Sequence, residues 1–291
     1  AVLAVAALIA VVSARSVTSR LRRLAGAAQS LGRGNFEVQA NVPGRDEVAR
    51  LGRAFDSMVP QLRERVRIRQ ALGVAMEVQQ SLLPKAPPSL SGLDLAGTSV
   101  YCDETGGDFY DYILREDPAA VRRRLLCVVG DVSGHGVSAA LLMASCRSAL
   151  RSRAASPGSP AEIADHANQL IARDTEDTGQ FVTAFLLEVE VESGKLVFVR
   201  AGHEPALALD RSTGEVALLK GAGVALGALP EAGYADEEAE AAGKTVVLAT
   251  DGIMEARNGD GEVYGRDRLV QALSRCTQAS ARETLDALLE D

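Results

Sequence analysis

Leu125-Leu126-Cys127-Val128-Val129-Gly130-Asp131-Val132-Ser133-Gly134-His135-Gly136 is the stretch from which the rest of the chain is read. Residues 125–130 are a β-prone, mostly apolar run, which predicts a buried strand, and the run ends on an acid flanked by glycine. A carboxylate at the tip of such a strand is held rigidly at a sheet edge, where other ligand groups can converge. Glycine beside it lets the backbone turn sharply and approach an ion or a phosphate. Asp108, in Gly106-Gly107-Asp108-Phe109-Tyr110-Asp111, and Asp251, in Thr245-Val246-Val247-Leu248-Ala249-Thr250-Asp251-Gly252, have the same setting. Taken singly, an Asp-Gly after a strand is a turn. Taken together, the three acids describe a carboxylate cluster for hard metal ions, with three separate turns as the alternative, because periodicity does not show that the tips meet. Oxygen ligands without a Cys or His cluster favour Mg²⁺ or Mn²⁺ over zinc.

Around that stretch the pattern mixes strand and helix. Residues 137–152 have helical spacing, with Ala139, Leu142, Met143, Cys146 and Leu150 on one side, and Ser159-Pro160-Ala161-Glu162 is a capping box that starts a helix through about Ile171. Residues 181–191 and 195–199 alternate around Glu192-Ser193-Gly194, a hairpin signal, and further strands are expected at 206–209 and 245–250. Strands joined by hairpins, with two helices inserted together, predict an α+β fold built on an antiparallel β-sandwich flanked by helices.

The chain has 291 residues, 47% hydrophobic and 24% charged, enough for a sizeable core and for more than one unit. No Trp is present and aromatics are few, so that core is made of Val, Leu and Ala. A net charge of −8 argues against nucleic-acid binding, which needs a basic surface. Cys102, Cys127, Cys146 and Cys276 lack metal or redox spacing, which leaves buried thiols as the default.

Residues 1–12 are wholly apolar and are followed by Arg15, Arg20, Arg22 and Arg23. A spanning helix needs about 20 residues. This stretch therefore reads as the end of a transmembrane helix in a fragment that starts inside it, with the arginines placing the remainder of the chain in the cytoplasm. The h-region of a signal peptide and a buried helix start are the alternatives.

Two amphipathic runs come next. Val17, Leu21, Leu24, Ala28 and Leu31 form the first, broken at residues 32–34; Val48, Leu51, Phe55, Met58, Val59 and Leu62 form the second. A helix over residues 59–83 is expected to continue to the Pro84, Pro87 and Pro88 cluster, with Pro60 as a start or a kink. Short helices of this kind bury their stripes only against partners, which predicts a parallel four-helix bundle from two chains.

Five strings carry a family resemblance: Gln80-Ser81-Leu82-Leu83-Pro84, Gly106-Gly107-Asp108-Phe109-Tyr110-Asp111, Asp131-Val132-Ser133-Gly134-His135-Gly136, Ala201-Gly202-His203-Glu204-Pro205-Ala206 and Thr250-Asp251-Gly252-Ile253. In this order, from about Val74 to the C-terminus, they resemble the metal-dependent PPM serine/threonine phosphatases of the bacterial SpoIIE-like branch. Gly44-Arg45-Asp46-Glu47-Val48-Ala49-Arg50-Leu51 and Ala54-Phe55-Asp56-Ser57-Met58 resemble the second helix of a HAMP signalling domain, although Val17-Thr18-Ser19 stands where the first helix usually carries a proline.

The resemblance implies an αββα sandwich preceded by a helical HAMP and stalk region: residues 1–14 as a membrane helix end, 15–70 as HAMP, 71–90 as a linker or stalk helix, and 91–291 as a C-terminally truncated phosphatase domain. It implies two Mn²⁺ or Mg²⁺ ions, with Asp131 bridging both, the Val132 carbonyl adding to one, Asp108 serving the first and Asp251 the second. These three aspartates would be the catalytic residues, since paired divalent ions about 3.5 to 4 Å apart neutralise phosphoryl oxygens and lower the pKa of water. Asp111 would orient water or cap a turn, and Gly130 and Gly134 would keep the ion pocket open. His135 is either a general acid or a loop-packing residue; its offset from Asp131 differs from that of the eukaryotic-type catalytic histidine. His203 shapes a substrate-facing rim or a hairpin turn, and His166 reads as surface or packing. The family's final Asp-Asp-Ile-Thr-like motif is not found after Asp251.

The implied function is hydrolysis of phosphoserine or phosphothreonine on a regulatory protein, an anti-sigma factor antagonist of STAS fold, by a homodimer at the plasma membrane with its catalytic domain in the cytoplasm. The alternative is a PPM-fold regulatory module that binds without turnover. A histidine kinase or cyclase behind the HAMP region has no supporting motif.

Overall fold

A computed structural model describes residues 2–100, 106–117 and 122–291; Ala1 and Cys102 fall outside the described residues. The chain divides into two compact units, Ala1–Val74 and Ala75–Asp291, and the division falls within the second helix.

In the first unit, α1 spans Val2–Gly32 and α2 begins at Glu47, running to Leu82. Helix α1 is long and apolar enough to cross a membrane, so the apolar segment is not limited to the twelve residues visible as an unbroken run. Gly34 takes the left-handed backbone that ends α1, with φ 88°. The connector is fixed by carboxylates. Asp56 accepts from the backbone N–H groups of Ala40 at 2.6 Å and Asn41 at 3.1 Å, and Asp46 accepts from Ala49 N–H at 3.0 Å while pairing with Arg20. Ala27, Ala40 and Val42 form a small core with Leu24, Val38, Val48 and Phe55. Gly52 is required there, because a Cβ would stand 2.6 Å from that of Val42. Leu21, Leu51 and Met58 remain exposed. Pro60 neither starts nor ends a helix: α2 runs through it.

The second unit is the expected α+β sandwich. Strands β1 (Phe109–Asp117), β2 (Arg122–Val132), β3 (Val182–Glu190), β4 (Lys195–Ala201) and β7 (Glu237–Glu240) make one sheet in the order β1-β2-β3-β4-β7; β5 (Ala206–Asp210), β6 (Val216–Leu219) and β8 (Lys244–Val247) make a second in the order β6-β5-β8. Neighbouring strands in both are antiparallel. Helices α3 (Val137–Ala154) and α4 (Pro160–Asp174) lie between β2 and β3 in sequence, and α5 (Asp251–Glu255), α6 (Gly265–Ser274) and α7 (Ala281–Glu290) follow β8.

Three cores define the four layers. Leu126, Val128 and Val132 of β2 pack with Met143, Leu150, Ile163 and Ile171 of α3 and α4. Leu125 and Phe185 pack with Phe198, Ala206, Val246 and Leu248 between the sheets. Leu207 and Leu209 of β5 pack with Leu269, Leu273 and Leu288 of α6 and α7. The expected Ser159 capping box is present on α4 with Pro160 in its first turn, and a second one, Ser280 with Glu283, starts α7.

Strand alternation explains where Asp111 goes. Phe109 and Ile113 face the helices, so Asp111, two residues from each, faces them too. It is 2% exposed and meets Arg151 Nη2 at 2.8 Å and Arg147 Nε at 3.0 Å, both on α3. The expectation that it orients water or caps a turn is therefore corrected: it fastens α3 to β1. A buried carboxylate between two guanidiniums, once removed, leaves uncompensated charge. Asp111→Ala is expected to lower the unfolding free energy by about 3 kcal/mol in urea denaturation, and a loss below about 1 kcal/mol, the worth of an exposed pair, would contradict this role.

Candidate functional site

The same alternation that turns Asp111 toward the helices turns Asp131 away from them. Leu126, Val128 and Val132 face α3 and α4, so Leu125, Cys127, Val129 and Asp131 line the inter-sheet face of β2. Asp131 is the last of that row and pairs across the ladder with Thr183 of β3. It lies inside the strand, one residue before its end, rather than beyond it.

Asp108 directly precedes β1. Its segment is held by two close approaches. Gln79, near the end of α2 and 4% exposed, donates its amide to the Gly106 carbonyl. Gly107 packs against the backbone of Val132, where a Cβ would stand 2.7 Å from the Val132 carbonyl oxygen and 3.0 Å from its nitrogen. The absent side chain at Gly107 thus permits this close approach to the Val132 carbonyl. Gly130 has a different task from the one expected: its vacant side-chain position is filled by the Phe109 ring, which would lie 2.6 Å from a Cβ. Gly134 adopts φ 94° in the loop after β2, a conformation that favours glycine.

Asp251 sits in the first turn of the short helix α5 rather than at a strand tip, because β8 ends at Val247 and the helix begins directly after Thr250, whose side chain makes no cap bond. The Thr250 hydroxyl donates to Asp108 Oδ2 at 2.6 Å. This bond ties together segments separated by 142 positions.

The three predicted carboxylates therefore share one neighbourhood. The Asp131 carboxyl is pushed up to about 8, first by burial, then by its hydrogen bond with Asp108 and by the negative charges of Asp108 and Asp251, against a lowering contribution from the Val132 N–H. Among the described residues, no three carboxylate, imidazole or thiol side chains already surround one point as ligands of a single ion. The arrangement is the Asp108–Asp131 pair with the Val132 carbonyl beside it and Asp251 close enough to act through its charge. Such a donor set is all oxygen and carries excess negative charge, which fits hard divalent cations.

Of the histidines, His203 is drawn into this neighbourhood as a buried residue, 4% exposed. Its Nδ1 lies 2.9 Å from Thr183 Oγ1 and its Nε2 lies 3.1 Å from the Ala249 carbonyl. Burial lowers its pKa, against smaller raising effects from the Ala249 contact and the charges of Asp108, Asp251 and Glu204. It is neither an exposed rim nor a free turn residue. His135 is exposed, and His166 is half-buried on α4. Gln79, Thr183 and Thr250 are not marked as site residues by their sequence settings; the nearest signal is that Thr250 and His203 lie inside two of the strings that carry the resemblance.

The Asp131 shift has a definite sign in stability. Between the ordinary carboxylate pKa, about 3.9, and about 8, the folded metal-free chain retains a proton that the unfolded chain has released. Stability then falls as pH rises through that window. The thermal midpoint of the metal-free chain is expected to decline from pH 5 to pH 8 more steeply than that of Asp131→Asn, which holds no such proton. Parallel profiles for the two would contradict the assignment.

Residues 122–291 match the family of stage II sporulation protein E (SpoIIE), and residues 12–64 match the HAMP domain. Protein IcfG of Synechocystis sp. is 27% identical over 92% of this chain and 47% of its own length, and phosphoserine phosphatase RsbU of Bacillus subtilis is 25% identical over 77% of this chain and 66% of its own. The chain thus spans about half to two thirds of the length of these relatives. The SiaA-PP2C domain of Pseudomonas aeruginosa superposes with a TM-score of 0.63 at 27% identity, covering 78% of this chain and 89% of that one. The RsbU and RsbW domains of a Mycobacterium tuberculosis protein share the fold, with a TM-score of 0.51 at 24% identity over 66% of this chain and 53% of that one. With its SpoIIE match covering more than half of its length, the chain belongs to the SpoIIE family of PP2C-type phosphatase domains and carries a HAMP domain ahead of it.

Proposed function

We propose that this chain is a membrane-anchored, dimeric signalling phosphatase that removes phosphate from phosphoserine or phosphothreonine of a regulatory protein. The observation that supports the reading is the Asp108–Asp131 pair with Asp251 near enough to act through its charge, where burial and these neighbours push Asp131 up to about 8. Membership of a metal-dependent phosphatase family and the likeness to a phosphoserine phosphatase support it.

Asp108, Asp131, the Val132 carbonyl and Asp251 would hold two Mn²⁺ or Mg²⁺ ions. When bound, such ions supply neutralisation of phosphoryl oxygens and acidification of water. The chain's own groups prepare the site. Thr250 holds one oxygen of Asp108 by a 2.6 Å bond and so fixes the direction of the other. The Val132 N–H stabilises the charged form of Asp131. Gly107, with no side chain, permits the close approach to the Val132 carbonyl.

In domain terms, residues 1–14 would end a membrane helix, 15–70 form the HAMP domain, 71–90 the stalk, and 91–291 the phosphatase domain, which the cytoplasmic side of the plasma membrane would carry. The apolar length of α1 supports the membrane assignment, and the exposed Leu21, Leu51, Met58, Val66 and Ile68 support a second copy of the chain along the helices. The resemblance to SpoIIE-like phosphatases supports an anti-sigma factor antagonist of STAS fold as the substrate class.

Phosphate release from a serine-phosphorylated STAS-domain protein, measured with Mn²⁺ present, is expected to fall at least 100-fold for Asp131→Ala and to stop in EDTA. Release that persists in either condition contradicts the proposal.

A further inference from the structure

We infer that His203 is a positioning residue that sets the place of Asp251 relative to Asp131; this deepens the metal-site reading and rests on it. The observation is a chain of contacts across the sandwich. Thr183 pairs with Asp131 on β3, and its hydroxyl lies 3.4 Å from the Asp131 carbonyl oxygen. The same hydroxyl lies 2.9 Å from His203 Nδ1, and His203 Nε2 lies 3.1 Å from the carbonyl of Ala249, two residues before Asp251.

The chemistry of the partners settles the proton positions. A backbone carbonyl only accepts, so Nε2 carries the hydrogen and donates it to Ala249. In the neutral ring Nδ1 is then the acceptor, and the Thr183 hydroxyl gives it its single hydrogen, so the 3.4 Å approach to the Asp131 carbonyl oxygen is not a hydrogen bond and the link from Thr183 to Asp131 is the β2–β3 ladder. Both ring nitrogens are thereby used, and a residue that is 4% exposed has no lone pair left for an ion or a substrate. The ring's function is to span the gap between β3 of the first sheet and the segment leaving β8 of the second.

That segment needs holding. Residues 248–250 lie between the end of β8 and the start of α5, outside the ladder hydrogen bonds that fix Val246 and Val247 to β5. Two side chains pin it from the other sheet: His203 at Ala249 and Asp108 at Thr250. Asp108 is itself one of the carboxylates, so its bond moves with the site. His203 is anchored instead through Thr183 to the β2–β3 ladder. Gly202, with φ 66° and a Cβ position only 2.6 Å from the Ala225 nitrogen, admits only glycine before it and so sets the direction in which the His203 ring leaves β4. Groups hydrogen-bonded directly to metal ligands commonly change affinity by about 10- to 100-fold when lost; His203 acts on Ala249, two residues from Asp251, so the lower end of that range is expected.

The experiment uses the whole chain and Mn²⁺ as the probe. Calorimetric titration is run on the wild type, His203→Phe, Thr183→Val and Thr183→Ser, beside a long-range ¹H–¹⁵N spectrum of the wild-type histidines. The expected result is a rise of about 10-fold or more in the apparent Kd for His203→Phe and Thr183→Val, recovery to within about threefold of wild type in Thr183→Ser, which keeps the hydroxyl, and a neutral His203 protonated at Nε2. Unchanged Mn²⁺ affinity in Thr183→Val, or a His203 ring protonated at Nδ1 alone, overturns the inference while leaving the metal site standing. If His203→Phe does not fold, the Thr183 pair and the spectrum decide alone. A wild type that takes up no Mn²⁺ overturns the metal-site reading, and this inference with it.

Discussion

Like charges gathered in a partly buried place are the constraint on which the C-terminal unit of this molecule turns. Asp108, Asp131 and Asp251 come from three separate segments, and burial, together with the neighbouring Asp108 and Asp251, raises Asp131 far above an ordinary carboxylate. A fold gains nothing from such an arrangement alone; it costs stability until a cation or a proton neutralises it. The surrounding structure over-determines the cluster with Gly107 against Val132, Thr250 on Asp108 and His203 on Ala249.

Much of this is legible in the sequence because strand geometry is a strict rule. The run over residues 125–130 marks β2, and period-two alternation then forces Asp131 onto the face opposite Leu126 and Val128. The helical faces of α3 and the capping box of α4 are equally plain, since caps and apolar stripes are local signals. The sequence singles out Asp251 as a candidate, but it does not show its element: the apolar residues after Val247 do not continue the ladder, and a helix begins at Asp251 instead. Asp111 misleads because its adjacency to Asp108 in sequence suggests adjacency in space, whereas a separation of three places along the chain puts it on the other face of the sheet. Strand β7, Glu237–Glu240, is invisible to propensity; it is acidic, and its pairing with β4 and the Lys195–Glu238 bond at 2.6 Å are tertiary.

The N-terminal unit shows the same division between local and distant information. Helical periodicity locates both helices, while the connector between them is organised by Asp56 and Asp46 reaching backbone N–H groups that no periodicity marks. Pro60 reads as an interruption in the sequence, yet α2 tolerates it, losing one backbone donor within a 36-residue helix. The apolar residues left exposed along α1 and α2 are the ones that the proposed membrane and second copy would cover.

Whether the gathered carboxylates bind a pair of divalent ions is decided by crystals of the chain grown with Mn²⁺, with anomalous differences collected at the manganese edge. Two anomalous peaks are expected at this end of the inter-sheet layer, among Asp108, Asp131 and Asp251. Manganese absent from this end of the inter-sheet layer, or bound only at surface acids elsewhere, would refute the metal site and the phosphatase chemistry built on it.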